Sequence, residues 1–141
     1  MSVEAKVKLI NGMQFEGTAL SSGHTLTMDA DEAFGGQNKG FRPMELLLVG
    51  FGGCTGMDVI SILRKKRQNV ASLEMNVKGT KAETHPHVYT DVHIEYVVKG
   101  KGLESQAVER AIALSLEKYC SVGATLGRTG KITHSYRIEE V

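Results

Sequence analysis

The chain has 141 residues, 41% hydrophobic and 23% charged, and its 17 Lys+Arg against 16 Asp+Glu leave a formal net charge of +1. A chain of this size removes about 68–70% of its unfolded surface from water as one domain, here residues 1–141, without disulfide or metal staples. Near-neutral charge excludes the dense positive field of a non-specific nucleic-acid binder, and the opening Met1-Ser-Val-Glu-Ala-Lys-Val-Lys-Leu-Ile10 lacks the apolar run of a signal peptide, so a cytoplasmic protein is expected.

Residues 3–10 alternate in polarity, Asn11-Gly12 is a two-residue hairpin signal, and residues 13–20 resume the alternation. Ser21-Ser22-Gly23 turns the chain again before residues 24–28, which predicts a three-stranded antiparallel meander. Residues 29–40, with Gly35-Gly36 and Gln37-Asn38-Lys39-Gly40, read as a loop. Pro43 suits the first position of a helix, and from Met44 to Leu63 the only ionised residues are Glu45 and Asp58, ahead of Arg64-Lys65-Lys66-Arg67. A long central core helix is expected rather than a membrane span, because four glycines and Asp58 interrupt the apolar stretch and no second span follows. The basic cluster reads as a solvated last turn that complements the helix dipole.

Residues 70–80 and 87–99 are rich in β-branched side chains and alternate, predicting two long strands around Thr84-His85-Pro86. Leu103, Ala107, Val108, Ala111, Ile112, Leu114 and Leu116 give residues 103–119 a helical spacing. Gly127, Gly130 and Lys131 mark a turn, and residues 132–138 close the chain as a strand. The order β-β-β-α-β-β-α-β specifies an α+β fold whose two main helices are covered by antiparallel sheet. His85-Pro86-His87 reads as a turn, and His87 and His93 on one strand stand roughly 20 Å apart, too far to share an ion. No metal is expected.

Two cysteines, Cys54 and Cys120, match neither a CxxC redox pair nor a zinc knuckle, and in a reducing compartment they are free thiols or a reversible functional disulfide. Gly50, Gly52, Gly53 and Gly56 flank Cys54, each costing about 1 kcal/mol against Ala in a helix interior. Two explanations are compatible: close packing of a second helix or symmetry mate, and room for a substrate beside the sulfur. Asp58, at i+4, shares the face of Cys54, and a carboxylate there raises a thiol pKa rather than lowering it. An activating cation therefore has to come from elsewhere in the fold or a second subunit, with Arg42, Arg128 and His134 as candidates. Met44, Phe51 and Met57 are the candidate lining of a substrate pocket.

Pro43-Met44-Glu45-Leu46-Leu47-Leu48, Gly52-Gly53-Cys54-Thr55 and Glu117-Lys118-Tyr119-Cys120-Ser121-Val122 resemble the OsmC/Ohr family, in its YhfA-type branch, over nearly the whole chain. The resemblance implies an intertwined α+β homodimer, with two long central helices wrapped by sheets from both subunits and active sites at the interface. It also implies that Cys54 attacks a hydroperoxide and becomes a sulfenic acid, that Cys120 resolves it as a disulfide, and that a thiol reductant, in several members a lipoylated protein, restores the dithiol without a cofactor. Three positions depart from the family pattern. Met44 stands where strong peroxidases place a glutamate after the helix-starting proline, no arginine precedes Phe41 where the family draws its activating arginine, and Ser121 replaces a common proline. Glu45 is no substitute: nine residues at about 100° each turn it to roughly the opposite side of a straight helix from Cys54.

Two functions compete. One is two-cysteine hydroperoxide reduction; the other is an OsmC-fold protein without efficient peroxidase activity that binds an apolar small molecule or partner at the dimer interface. Neither involves nucleic acid or a membrane. A third reading keeps both cysteines as core filler.

Overall fold

In the computed structural model, which describes residues 1–141, six strands form two three-stranded sheets. The chain divides into two units, Met1–Leu47 and Leu48–Val141.

The first unit is the expected meander: β1 (Ala5–Asn11), β2 (Gln14–Ala19) and β3 (Thr25–Met28), in that order and antiparallel throughout. Gly12 takes the left-handed conformation that the hairpin turn requires, with φ of 55°. The register sets Val7 opposite Gly17 and Gly17 opposite Leu26, and likewise joins Leu9, Phe15 and Met28, so one face of the sheet is apolar. Lys6, Lys8, Glu16, Thr18 and Thr27 alternate onto the other face. The apolar face is nevertheless open, with Val7 57% and Leu9 56% exposed.

The expected loop after β3 is more ordered than its composition suggests. A single 3-10 turn spans Glu32–Phe34, and the buried Asp29 carboxylate accepts N–H bonds from Ala30, Gln37 and Lys39 at 2.7, 3.1 and 3.1 Å. Burial works to raise the Asp29 pKa, but those three bonds and the Arg42 charge outweigh it and hold the group below its ordinary value. Helix α1 (Pro43–Lys65) then begins with a reciprocal cap: the Arg42 backbone N–H donates to Glu45 Oε1 at 2.7 Å. This gives Glu45 a structural task at the helix start. The helix stops at Arg67, which adopts φ of 57°.

In the second unit, β4 (Asn69–Lys81) pairs antiparallel with β5 (Tyr89–Lys101), and β6 (Lys131–Glu140) joins β5 in parallel. The α+β architecture is as expected, but the second sheet is mixed rather than wholly antiparallel. The cause lies in the connection: α2 (Ser105–Leu114), a π turn (Ser115–Tyr119) and α3 (Ser121–Leu126) form a crossover long enough to return the chain to the start of β5. One continuous helix over 103–119 is therefore not what forms. Its periodicity breaks at Ser115, where the chain widens into the π turn, and α3 follows as an unanticipated third helix.

The core belongs to this unit. Val92, Ile94, Tyr96 and Val98 of β5 are fully buried, as are Phe51, Val59 and Leu63 of α1 and Val108 and Ala111 of α2. Although α1 has the length and mean hydropathy, 1.8, of a membrane span, its buried residues Phe51, Gly52, Thr55, Gly56, Val59 and Leu63 recur at helical spacing, the pattern of a helix packed along one side. Gly52 and Gly56 allow close approach of β4, since a Cβ on them would lie 3.4 Å from Val77 Cγ2 and 2.5 Å from Met75 Cε. Gly50 and Gly53 face open space in this chain, so the four glycines divide between a packed side and a free one.

Candidate functional site: a thiol pair on a polar chain

Cys54 lies on α1, half-buried, and Cys120 caps the start of α3 with only 3% exposure. Two bonds fix the second cysteine. Its N–H donates to the Ser115 carbonyl at 2.7 Å and its Sγ accepts the Gly123 N–H at 3.3 Å, with Cys54 near enough to influence its titration. Gly123 makes that position possible, because a Cβ there would sit 3.0 Å from Phe51 Cε1 and 3.3 Å from the Cys120 sulfur.

The two thiols are thus brought together from distant parts of the sequence. Burial pushes the Cys120 pKa up to about 11, and Cys54 and the Asp58 charge add to the rise, against a lowering by the Gly123 N–H. Cys120 is therefore a protonated thiol at neutral pH.

A chain of hydroxyls runs beside this pair. Tyr96 OH lies 2.8 Å from Thr55 Oγ1, Thr55 Oγ1 lies 2.6 Å from Ser115 Oγ, and Ser115 Oγ donates to Asp58 Oδ2 at 2.9 Å. Each hydroxyl has one proton, so the donation from Ser115 to Asp58 at the end fixes the direction of the other two bonds: Tyr96 to Thr55 and Thr55 to Ser115. Tyr96, Thr55 and Ser115 are fully buried, and in that setting an unbroken chain is stabilising where a broken one is costly. Burial raises the Tyr96 pKa to about 12, which keeps its proton available to donate. Asp58 itself is half-buried and reaches a cleft of about 430 Å³ that it shares with Ile62, Lys65, Lys66, Leu114 and Tyr119.

The other candidates fall in different places. Phe51 is fully buried and packs at Gly123, whereas Met57 is 73% exposed and borders a groove of about 450 Å³ with Gly53, Gly56, Arg64 and Met75. Met44 is half-buried in the first turn of α1. Arg42 is bonded to Asn38 and paired with Asp31 at 3.5 Å. Arg128 is exposed just after α3, and His134 is exposed on β6. Of the remaining histidines, His87 donates from Nδ1 to the Ala82 carbonyl at 2.7 Å, and His93 pairs with Thr133 and Ser135 across the outer face of the sheet.

Sequence reading missed Thr55, Tyr96 and Ser115. Thr55 and Asp58, three apart on α1, carry a signal, since that spacing puts two polar side chains on one face of an otherwise apolar helix. Ser115 carries none, because its inward direction depends on the π turn.

Two sheets, a central helix with a half-buried cysteine and a second cysteine delivered by a distant turn define a thiol protein of the α+β class. Residues 36–135 match the family described as OsmC-like protein, and the chain belongs to that family. It is 39% identical over 136 residues to Protein YhfA of Escherichia coli K12, covering 96% of this chain and 98% of that one. A crystal structure of a hypothetical protein from Aquifex aeolicus superposes with a TM-score of 0.87 at 36% identity, covering 100% of this chain and 98% of the other. An organic hydroperoxide resistance protein OsmC from Legionella pneumophila shares the fold at a TM-score of 0.69 and 14% identity, with 96% of each chain covered.

Proposed function

We propose that this protein reduces organic hydroperoxides with Cys54 as the attacking and Cys120 as the resolving sulfur, working as a homodimer. The observation that carries this reading is a half-buried Cys54 near enough to a sealed, protonated Cys120 to influence its titration. Family membership and the hydroperoxide-resistance name of a fold relative agree with it.

In the first step the Cys54 thiolate attacks the terminal peroxide oxygen, the O–O bond breaks, the sulfur is oxidised to a sulfenic acid, and the alkoxide leaves and takes up a proton as an alcohol. In the second, Cys120 gives up its proton and its sulfur attacks Cys54 Sγ; the S–O bond breaks, hydroxide leaves and is protonated to water, and the disulfide forms. A dithiol reductant from outside the chain, a lipoylated protein being the family's example, returns both thiols. The homodimer is supported by the open apolar face of the β1–β2–β3 sheet and by Gly50 and Gly53, which meet nothing within this chain.

One equivalent of cumene hydroperoxide should remove both thiols and lower the intact mass by about two daltons per chain, the two hydrogens lost in disulfide formation, and Cys54→Ser should abolish the change. Persistence of both thiols would instead favour an apolar ligand or partner bound at the dimer interface. That second reading draws on one observation: the charged groups acting on Cys120 are Cys54 and Asp58, with no cation among them.

A further inference from the structure

We infer that Ser115 is a positioning residue for the resolving step, tying the backbone of Cys120 to the turn of α1 that begins at Cys54. The inference rests on the hydroperoxide reading and names the side chain on which its second step depends.

Every polar atom of Ser115 is engaged, and the engagements reach different elements. Its backbone N–H donates to the Ala111 and Ile112 carbonyls at the end of α2. Its carbonyl accepts the Cys120 N–H at 2.7 Å, the long step that closes the π turn. Its hydroxyl lies 2.6 Å from Thr55 Oγ1 and donates to Asp58 Oδ2 at 2.9 Å. Thr55 directly follows Cys54 and Asp58 comes one turn after it, so both partners of the hydroxyl belong to the stretch of α1 that carries the attacking sulfur. Thr55 is braced in turn by the Tyr96 hydroxyl of β5 at 2.8 Å.

A serine hydroxyl within a helix commonly turns back onto a carbonyl of the preceding turn, whereas that of Ser115 crosses to α1. The residue is fully buried, and an alanine in its place would leave the Thr55 hydroxyl without its acceptor. The Cys120 N–H is therefore held by a residue that is itself clamped to α1 by two bonds. The far side of Cys120 is set separately, by the Gly123 N–H on its sulfur at 3.3 Å.

Resolution is the step that needs this precision. In it the Cys120 thiol gives up its proton, its sulfur attacks Cys54 Sγ, the S–S bond forms, the S–O bond of the sulfenic acid breaks, and the departing hydroxide and the proton leave as water. A disulfide closes only within a narrow range of backbone separation and dihedral angle, so its rate falls steeply when one backbone is displaced. Peroxide attack on Cys54 makes no such demand, because that sulfur is carried by the continuous helix α1. Loss of the Ser115 hydroxyl should consequently slow the second step and leave the first.

The test follows both steps after one equivalent of cumene hydroperoxide, sampled at intervals and read by intact mass. Dimedone traps the Cys54 sulfenic acid, and the disulfide lowers the mass by about two daltons. In Ser115→Ala the disulfide should form at least about tenfold more slowly while sulfenic acid appears at the parent rate, so the dimedone adduct accumulates on Cys54. A Ser115→Ala protein that resolves at the parent rate overturns the inference. So does one in which both steps slow equally, since that marks a general loosening of the fold. Should the alanine variant fail to fold, Thr55→Val removes one of the two bonds to α1 and is read in the same way. A parent that yields neither adduct nor disulfide sinks the hydroperoxide reading, whereas a parent that completes both steps beside an unaffected Ser115→Ala sinks the role of Ser115 alone.

Discussion

In the Leu48–Val141 unit the central strand β5 buries Val92, Ile94, Tyr96 and Val98 completely, whereas in the Met1–Leu47 unit β1 leaves all seven of its residues exposed and Asp29 is the only buried residue. Both units are made from strands that alternate correctly, so the contrast does not come from local propensity. It comes from cover. The second sheet has α1 to receive its apolar side chains, while the face formed by Val7, Leu9, Phe15 and Leu26 has no such layer. An apolar sheet face gains its stabilising energy when another surface removes it from water. The first unit is thus written for burial against a surface that it does not itself provide, which is the physical argument for the second copy proposed above.

The comparison predicts effects of different size in the two units. Phe51→Ala empties a fully buried site in the covered unit and should destabilise the protein by about 3–5 kcal/mol in chemical denaturation. A loss under about 1 kcal/mol would mean that neighbours collapse into the space and that the core there is looser than its complete burial indicates.

Leu9→Lys should have a different signature. On a solvated surface this change stays within about 0.5 kcal/mol and association is untouched. If a second copy covers the face, each dimer loses two buried leucines, on the order of 1.5–3 kcal/mol apiece, and sedimentation equilibrium should show dissociation rising by tenfold or more. Unchanged association would break the comparison at its weakest point, by showing that the apolar face of β1 is tolerated in water.

Much of the fold was legible because period and punctuation agree along most of the chain. Asn11-Gly12 and Ser21-Ser22-Gly23 delimit strands whose alternation is uninterrupted, and Pro43 with Glu45 marks the start of α1. The parallel placement of β6 was not legible, since alternation within residues 131–140 is the same whichever way its neighbour runs. The π turn was hidden for a related reason: spacing from Leu103 to Leu116 fits a helix, and the departure at Ser115 is stabilised by partners on α1 and β5. The cysteines were legible as residues and the resemblance paired their roles, but the polar chain beside them depends on three elements meeting, α1, β5 and the π turn. Asp58 shows the limit well. Its position predicted a carboxylate on the Cys54 face, yet the thiol whose pKa it raises in the fold is Cys120.

The smallest expected effect concerns how the uncovered unit keeps its shape. Asp29 replaces a core there: three backbone N–H groups on both sides of the Glu32–Phe34 turn converge on one carboxylate. Its folded pKa is lowered from 3.8, so the stabilisation is fully present above that value and is lost as pH falls below it through the lower folded value. Amide resonances of Gln37 and Lys39 followed by NMR should therefore titrate together with a midpoint below 3.8, while those of Ile94 and Val98 in β5 remain unmoved over the same range. Asp29→Asn should remove the transition, because its side chain keeps an acceptor but no longer ionises. A midpoint at or above 3.8 would mean that the carboxylate is not held by those bonds, and that the loop owes its order to whatever covers the neighbouring sheet.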